Sequence, residues 1–288
     1  MNPKEIDTLI HLLDDPDREV YSMISTRIIE QGPAVIPTLE RARELSSNAL
    51  QQERIAHILQ AMQSKLAMQG LENWMGHRYH NLLEGAYWLA KQSYPHLHLE
   101  DLQVAVNDII KDVWINLQDP MTPEEKVKTL DFFFFRHHHF HLSDNENLLP
   151  QHNYINNVIE SRTGSLVALS LLYLHIGQEA GLPLQAVCMP NSFILAYTDN
   201  NGDVLFYLHA FQPGVKLFRK DIDLYFSRSD IQPKEDYYLP KPNTNALLYL
   251  LEMQIYCYER DGNQAKAELF RRLLPLFGLA KSSFDELD

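Results

Sequence analysis

Apolar side chains recur at helical spacing throughout residues 1–65. Three stripes show this pattern, and their members are Ile6, Leu9, Ile10 and Leu13, then Val20, Met23, Ile24 and Ile28, then Ile55, Ile58, Leu59 and Met62. A stripe of this kind predicts a helix with one buried face. The run Asp-Asp-Pro-Asp at residues 14–17 predicts a turn that caps the second helix, and Gly32 followed by Pro33 predicts its end.

These paired helices, joined by an acidic turn with a proline, resemble a HEAT repeat, whose period is about 40 to 47 residues. One such unit is recognisable in residues 1–65. Two interpretations stay open for it. It is either a helical cap on the domain that follows or a separate surface that binds another protein.

The pattern is helical again from residue 71 to residue 117, and a strong start signal for a further helix follows. Thr122 suits the N-cap, Pro123 the first helical position and Glu125 the third, which together predict a capping box. Four consecutive phenylalanines occupy residues 132–135 near the end of this helix. We expect them to anchor the next loop to the core.

The segment from residue 166 to residue 176 is apolar on all sides, with polar side-chain atoms only at Ser170, Tyr173 and His175. Such a helix is predicted to be buried in the centre of a domain, and Gly181 followed by Pro183 predicts its end. Three apolar runs follow at residues 184–189, 192–198 and 203–209 and predict strands. Asn201-Gly202 predicts a hairpin between the last two strands, so helix and sheet form an α+β unit.

The last region, residues 241–288, contains two amphipathic patterns on either side of Asp261-Gly262. Tyr258, Gly262 and Phe270 resemble the positions of half a TPR unit. A single unit does not form a solenoid, so we expect it to pack on the main domain. The sequence thus predicts three regions: a HEAT-like segment at 1–65, a core at 66–240 and a TPR-like tail at 241–288.

Composition and charge narrow the class of protein. The chain has 288 residues, a formal net charge of −13 and two cysteines. A strongly acidic chain without a cluster of Lys and Arg is not expected to bind nucleic acid. No apolar run reaches the roughly 18 residues that a membrane span needs. Two cysteines do not make a disulfide framework, so we expect a cytoplasmic protein.

The central segments resemble the transglutaminase-like superfamily, in its divergent SirB-type bacterial branch. The resemblance rests on the run Leu-Leu-Glu-Gly-Ala-Tyr-Trp-Leu-Ala at 82–90, on residues 153–187, and on the two strand segments near 189–197 and 207–214. Asn157, Arg162 and Gly164 match the usual Asn, Arg and Gly of that family. The resemblance implies a mostly helical α+β fold with a papain-like core and a small antiparallel sheet, flanked by helical-repeat-like segments.

Active members of the superfamily use Cys, His and Asp, and the resemblance implies where each would stand. The Cys position, two residues after Gly164 and fifteen before Gly181, is occupied by Leu166. The His position corresponds to Ser192 and the Asp position to His209. Because leucine has no nucleophilic atom, cysteine-type acyl transfer at this helix start is excluded. The expected catalytic residues are therefore none.

Other candidate residues have alternative interpretations. Arg162 and Gly164 either form a ligand site at the helix start or serve as a buried structural pair and a tight turn. Ser165 is expected to be the N-cap of the helix, with a substitute nucleophile as its alternative. Ser192 and His209 are expected to be a polar pair left in a former active site, and a Ser–His dyad is the alternative.

Two further side-chain types raise questions of nucleophilic and metal chemistry. Cys188 is expected to be buried and inert, although a relocated nucleophile is the alternative. In an extended chain His137, His139 and His141 would share one face and bind zinc. An unspaced histidine run rarely converges, so we expect a surface loop, no metal and no cofactor.

The sequence therefore favours a non-catalytic protein that binds a protein or peptide partner in a cleft. The residues predicted to line that cleft are Arg162, Gly164, Ser165, Leu166, Ser192 and His209. A cleft shaped for an extended chain holds it by main-chain hydrogen bonds. The alternative is a hydrolase or acyltransferase that uses Ser192 with His209, or Cys188.

Overall fold

The fold is α+β and mostly helical, and it divides into two compact units, residues 1–70 and 71–288. The computed structural model describes residues 3–143, 149–190, 192–211 and 214–279. No helix within these ranges is long and apolar enough to cross a membrane.

The first unit is built from α1 (Pro3–His11), α2 (Arg18–Ile29), α3 (Ile36–Leu45) and the part of α4 (Ala49–Met75) up to residue 70. Its core contains most of the predicted stripe residues, namely Ile6, Ile10, Leu13, Ile24, Ile28, Ile55, Ile58, Leu59 and Met62, together with Val35 and Leu39. The prediction for Met23 is wrong, since its side chain is 70% exposed. The buried face of α2 is centred on Ile24 and Ile28. Met23 directly precedes Ile24, so its side chain points about 100° away from that of Ile24.

The predicted helix starts are confirmed by their hydrogen bonds. Asp17 caps α2 because its carboxylate accepts from the Glu19 N–H at 2.7 Å. In α7 (Pro123–Asp131) the Thr122 hydroxyl accepts from the Glu125 N–H at 3.3 Å, and the Glu125 carboxylate accepts from the Thr122 N–H at 2.8 Å. These reciprocal bonds form the capping box and satisfy two N–H groups that a helix otherwise leaves without partners.

The second unit is built around one buried central helix. Besides α7, its other helices are α5 (Leu82–Lys91), α6 (Leu99–Asn116), α8 (Ile155–Ser161), α10 (Arg219–Arg228), α11 (Asn243–Arg260) and α12 (Gln264–Arg271). The central helix is α9 (Leu166–Glu179), which packs against α5, α6, α8 and α11. Every residue of α9 from 167 to 177 is buried, as its apolar sequence predicts. Gly181, with φ +91°, follows it.

An antiparallel sheet covers another side of α9. Its four strands are β3 (Leu184–Met189), β4 (Ser192–Thr198), β5 (Val204–Leu208) and β6 (Lys216–Leu217), in sequence order. The predicted hairpin between β4 and β5 is present, with Gly202 at φ +89°. Its turn is held by the Asp199 carboxylate, which accepts from the N–H groups of Asn201 and Asp203.

A second, two-stranded sheet joins β1 (His141–Leu142) and β2 (Thr163–Gly164) in parallel. This sheet lies at the start of α9. A π-helical turn, Phe132–His137, follows α7 and leads to the residues just before β1. At the other end of the chain, α11 and α12 turn at Gly262, whose φ is +75°, and pack on each other. Because α11 also contacts α5, α9 and β3, these last helices belong to the second unit.

Candidate functional site

The start of α9 is built from residues 162–166, and each residue has a separate structural role. Arg162 ends α8 in the left-handed conformation, with φ +60°. Thr163 and Gly164 pair with β1. Ser165 is the N-cap, and its buried hydroxyl accepts from the Ala168 N–H at 3.1 Å. Leu166, half-buried, is the first helical residue and offers no nucleophile.

Gly164 is required by close packing, so its expected role in a tight turn is wrong. Its φ is not positive, and the left-handed residue in this segment is Arg162. A Cβ at Gly164 would lie 2.7 Å from Val158 Cγ2 and 3.2 Å from both the His152 carbonyl oxygen and Leu169 Cγ. Any side chain there would overlap α8 and α9. The glycine therefore lets β2 approach the two helices.

The side chain of Arg162 pairs with an aromatic ring. Its guanidinium lies over the Phe140 ring at 4.8 Å from the ring centroid, within range of a cation–π contact. No carboxylate lies within ion-pair distance of it in the described ranges. Its Nη1 atom is buried and has no hydrogen-bond partner among these residues. Burial lowers the pKa of Arg162, and a buried donor without a partner costs free energy.

Ser192 and His209 are not brought together. The ladder between β4 and β5 ends at the pair Leu195–Leu208. Ser192 lies three residues beyond this pair on one strand and His209 one residue beyond it on the other. They are therefore offset by about 7 Å along the strands. In the described ranges no hydrogen bond joins them, so the Ser–His dyad is not formed.

Each of these two side chains has other neighbours. Ser192 forms a hydrogen bond with the side chain of Tyr225. Burial raises the pKa of Tyr225, and this hydrogen bond opposes that shift. His209 accepts from the Phe211 N–H through Nδ1 at 3.3 Å, and burial lowers its pKa. At neutral pH the imidazole is therefore uncharged and has one nitrogen engaged with the backbone.

His209 borders a small cavity of about 150 Å³ between α7 and the strands β5 and β6. Asp131 lies on the same cavity and is buried. The Tyr173 hydroxyl donates to one carboxylate oxygen at 2.8 Å, and the Gly214 N–H donates to the other at 3.1 Å. Burial raises the pKa of Asp131, and these two hydrogen bonds oppose that shift. The cavity is thus bordered by a buried carboxyl and an imidazole, and Tyr173 holds the carboxyl from the core.

An open groove of about 500 Å³ adjoins this cavity, because Lys128, Asp131 and Gly214 line both. We call it the phenylalanine groove, and its lining residues are Lys128, Asp131, Phe132, Phe135, Arg136, Phe140, His141, Leu142, Phe211 and Gly214. The predicted anchoring by the phenylalanine run is partly wrong. Phe134 is fully buried, but Phe132 is 54% exposed and lies on the groove. Apolar rings and exposed cations therefore share this surface.

The two cysteines are poor nucleophiles. Burial raises the pKa of the Cys188 thiol to about 12 and that of Cys257 to about 11. The attacking species in cysteine chemistry is the thiolate, which neither residue forms near neutral pH. The side chain of Cys188 is half-buried, not fully buried as expected.

The histidine run does not form the zinc site considered from the sequence. The π-helical turn and the positive φ of His139, +58°, prevent an extended arrangement of His137, His139 and His141. His141 contacts the Thr163 hydroxyl at 3.2 Å in the small parallel sheet. His137 and His138 instead lie beside Asp112 of α6.

The structure therefore distributes the six predicted cleft residues over several places. Arg162, Gly164, Ser165 and Leu166 form the start of α9, Ser192 lies beside α10, and His209 lines the small cavity. Among the residues that line the groove, the sequence drew attention only to the phenylalanine run and, as a metal candidate, to His141. The periodicity of α7 gives no signal that Asp131 and Lys128 lie beside Phe211 and Gly214.

The chain is similar to one protein-family model and to several curated proteins. The model of the transglutaminase-like superfamily matches residues 100–252, from α6 into α11. Curated relatives are all called UPF0162 protein. That of Buchnera aphidicola subsp. Schizaphis graminum is 33% identical over 86 residues, which are 30% of this chain and 32% of the relative. That of Vibrio cholerae serotype O1 is 27% identical over 131 residues, 45% of this chain and 48% of the relative.

The aligned part spans about a third to a half of the length of these curated relatives. No solved structure matches the chain significantly.

Proposed function

Because the chain belongs to the transglutaminase-like superfamily, we propose that it is a non-catalytic member that binds an extended segment of another protein. The observation that carries this proposal is Leu166 at the first position of α9, where the family resemblance implies the catalytic cysteine. No cysteine lies within twenty residues of Leu166 on either side. A small shift in alignment therefore does not restore a thiol.

The phenylalanine groove is the surface that we propose for the partner. It borders β1, and both His141 and Leu142 of that strand line it. In the described ranges β1 pairs only with β2, and no described strand covers its other edge. An extended peptide adds to such an edge through main-chain hydrogen bonds, and its alternate side chains occupy neighbouring pockets. Phe132, Phe135 and Phe211 supply the apolar wall for those side chains.

The charge of the groove indicates the chemistry of the partner. Lys128 and Arg136 are exposed on it, in a chain whose formal net charge is −13. The groove's own carboxyl, Asp131, is buried, with a raised pKa. This local excess of cations favours acidic side chains in the partner. We therefore propose a partner segment in which aromatic residues alternate with Asp or Glu.

Fluorescence anisotropy with a labelled peptide of alternating Phe and Asp tests this proposal. We expect it to bind more tightly than a peptide in which Lys replaces every Asp. Arg136→Glu should weaken binding by about tenfold, ~1.4 kcal/mol, the scale of one interface contact. Arg228→Glu, at an exposed cation of α10 outside the groove, is the matched control and should bind as the wild type does. Equal affinity of the two peptides, or of the two variants, contradicts the proposal.

The alternative function is a hydrolase or acyltransferase that uses Ser192 with His209, or Cys188. The offset of Ser192 from His209 and the raised pKa of Cys188 weigh against it. Hydrolysis of the activated ester p-nitrophenyl acetate separates the two functions. A rate above background that His209→Ala abolishes, with the fold retained by circular dichroism, would favour the enzyme.

We further propose the finer assignments that the sequence suggests. These are membership of the SirB-type branch, a HEAT-like segment at 1–65, a core at 66–240, a TPR-like tail at 241–288 and a cytoplasmic location. The paired amphipathic helices of the first unit and the pair α11 and α12 support the repeat-like assignments. The acidic net charge supports a partner that is not nucleic acid.

A further inference from the structure

A cluster of three side chains with metal-binding atoms lies between α6 and the π-helical turn. Asp112 comes from α6, and His137 and His138 come from the end of the turn. One ligand atom of each lies within 4.8 Å of the other two. We propose that this cluster, which we call the His–Asp cluster, is a binding site for a divalent transition-metal ion, and that Zn²⁺ fits it best.

The backbone explains why two consecutive histidines converge. In a regular α-helix, neighbouring side chains point about 100° apart. Here the helix widens into a π-helical turn and ends at His138, whose φ of −93° and ψ of −1° close the turn. The two imidazole centroids are then 4.8 Å apart. Single π-helical turns of this kind often occur at functional sites.

The distances suit a small tetrahedral ion. The Nε2 atom of His138 lies 2.9 Å from Asp112 Oδ2, and that of His137 lies 3.9 Å from the same oxygen. Zinc bonds of about 2.0–2.2 Å at tetrahedral angles place ligand atoms ~3.3 Å apart. These two distances lie on either side of that value, and the ligand atoms of all three residues lie within 4.8 Å of one another, so side-chain movements of about 1–2 Å bring them to a common ion.

The ligand set and its surroundings favour zinc with an open fourth position. Two imidazoles and one carboxylate are common zinc ligands, and water then completes the tetrahedron. His137 is exposed and Asp112 is part-exposed, which gives the ion a path from solvent. The Phe133 ring packs against His137, with centroids 5.6 Å apart.

Titration calorimetry of the untagged chain with Zn²⁺, together with metal content after dialysis, tests the inference. We expect one Zn²⁺ per chain and a rise in Tm with zinc concentration, because binding to the folded state stabilises it. Asp112→Asn and His137→Ala should each weaken binding at least about tenfold, since even indirect partners of a metal cost 10–100-fold. These two residues are the more exposed members, so their replacement preserves the fold.

The matched control is His139→Asn, an exposed neighbour in the same histidine run that lies outside the His–Asp cluster. Asn tolerates the positive φ at this position, and zinc binding should be unchanged. If zinc does not bind the wild type, or if it binds Asp112→Asn and His137→Ala as tightly as His139→Asn, the inference is overturned.

Discussion

Leu166→Cys tests whether the start of α9 has the electrostatics of a nucleophile site. The substitution places a thiol at the first residue of a helix of 14 residues. Free N–H groups and the helix dipole stabilise a thiolate there. Leu166 and Cys188 are both half-buried, but Cys188 lies in a strand, where no helix dipole opposes the burial that raises its pKa to about 12. We therefore expect the new thiol to be the most reactive one in the chain.

The expected shift follows from the strength of the dipole. An exposed charge at a helix end gains about 0.3–1 kcal/mol, and one pKa unit corresponds to about 1.36 kcal/mol. Starting from about 8.5, the pKa of the new thiol should fall by about 0.2–0.7. Glu179→Cys is the matched control, since Glu179 is exposed at the opposite end of α9. There the dipole raises the pKa by a similar amount, so the variants should differ by about 0.4–1.5 units.

The pH dependence of iodoacetamide alkylation, read by peptide mass spectrometry, gives both pKa values. In each variant Cys188 and Cys257 serve as internal standards that react slowly, because burial raises their pKa values. Equal pKa values in Leu166→Cys and Glu179→Cys, or a higher value in the former, would refute the reasoning. Desolvation would then outweigh the dipole at the helix start.

Two further predictions concern stability. Gly164→Ala should lower the free energy of unfolding by about 1–3 kcal/mol, since its Cβ would overlap Val158 Cγ2 at 2.7 Å; urea denaturation measures this, and an unchanged value would contradict the packing argument. Burial raises the pKa of Asp131 above its unfolded value of about 3.9. Relative to Asp131→Asn, the wild type should therefore have its full advantage in stability at and below that value, and should lose it as the pH rises from there through the folded-state pKa. Urea denaturation at several pH values measures the difference, and a difference that is independent of pH would be inconsistent with a raised pKa.

The helices were the most predictable part of the fold, because their signals are local. Thr122, Pro123 and Glu125 identify the start of α7 from adjacent residues alone, and the expected hydrogen bonds are present. The apolar run that begins at Leu166 likewise predicts a buried helix without knowledge of its neighbours. The Asn-Gly pair predicts the hairpin in the same way.

The site was less predictable, because its geometry depends on contacts between distant segments. His141 and Leu142 form a strand only through pairing with Thr163 and Gly164, more than twenty residues later. A two-residue strand has no periodicity to detect. The left-handed conformation of Arg162 is equally hidden, since this region usually favours Gly or Asn.

The residues at the start of α9 have structural roles that do not require catalysis. Ser165 caps the helix, and Gly164 admits β2 against α8 and α9. A helix start that resembles an active site is therefore explained by the packing of the core. Functional residues are better sought among side chains with exposed apolar surface or with hydrogen-bonding atoms that have no partner. Phe132 exposes an apolar ring beside a cation, and Arg162 keeps a buried donor without a partner in the described ranges. A partner that covers the exposed ring removes apolar surface from water. The buried donor costs free energy until a movement of the side chain gives it an acceptor.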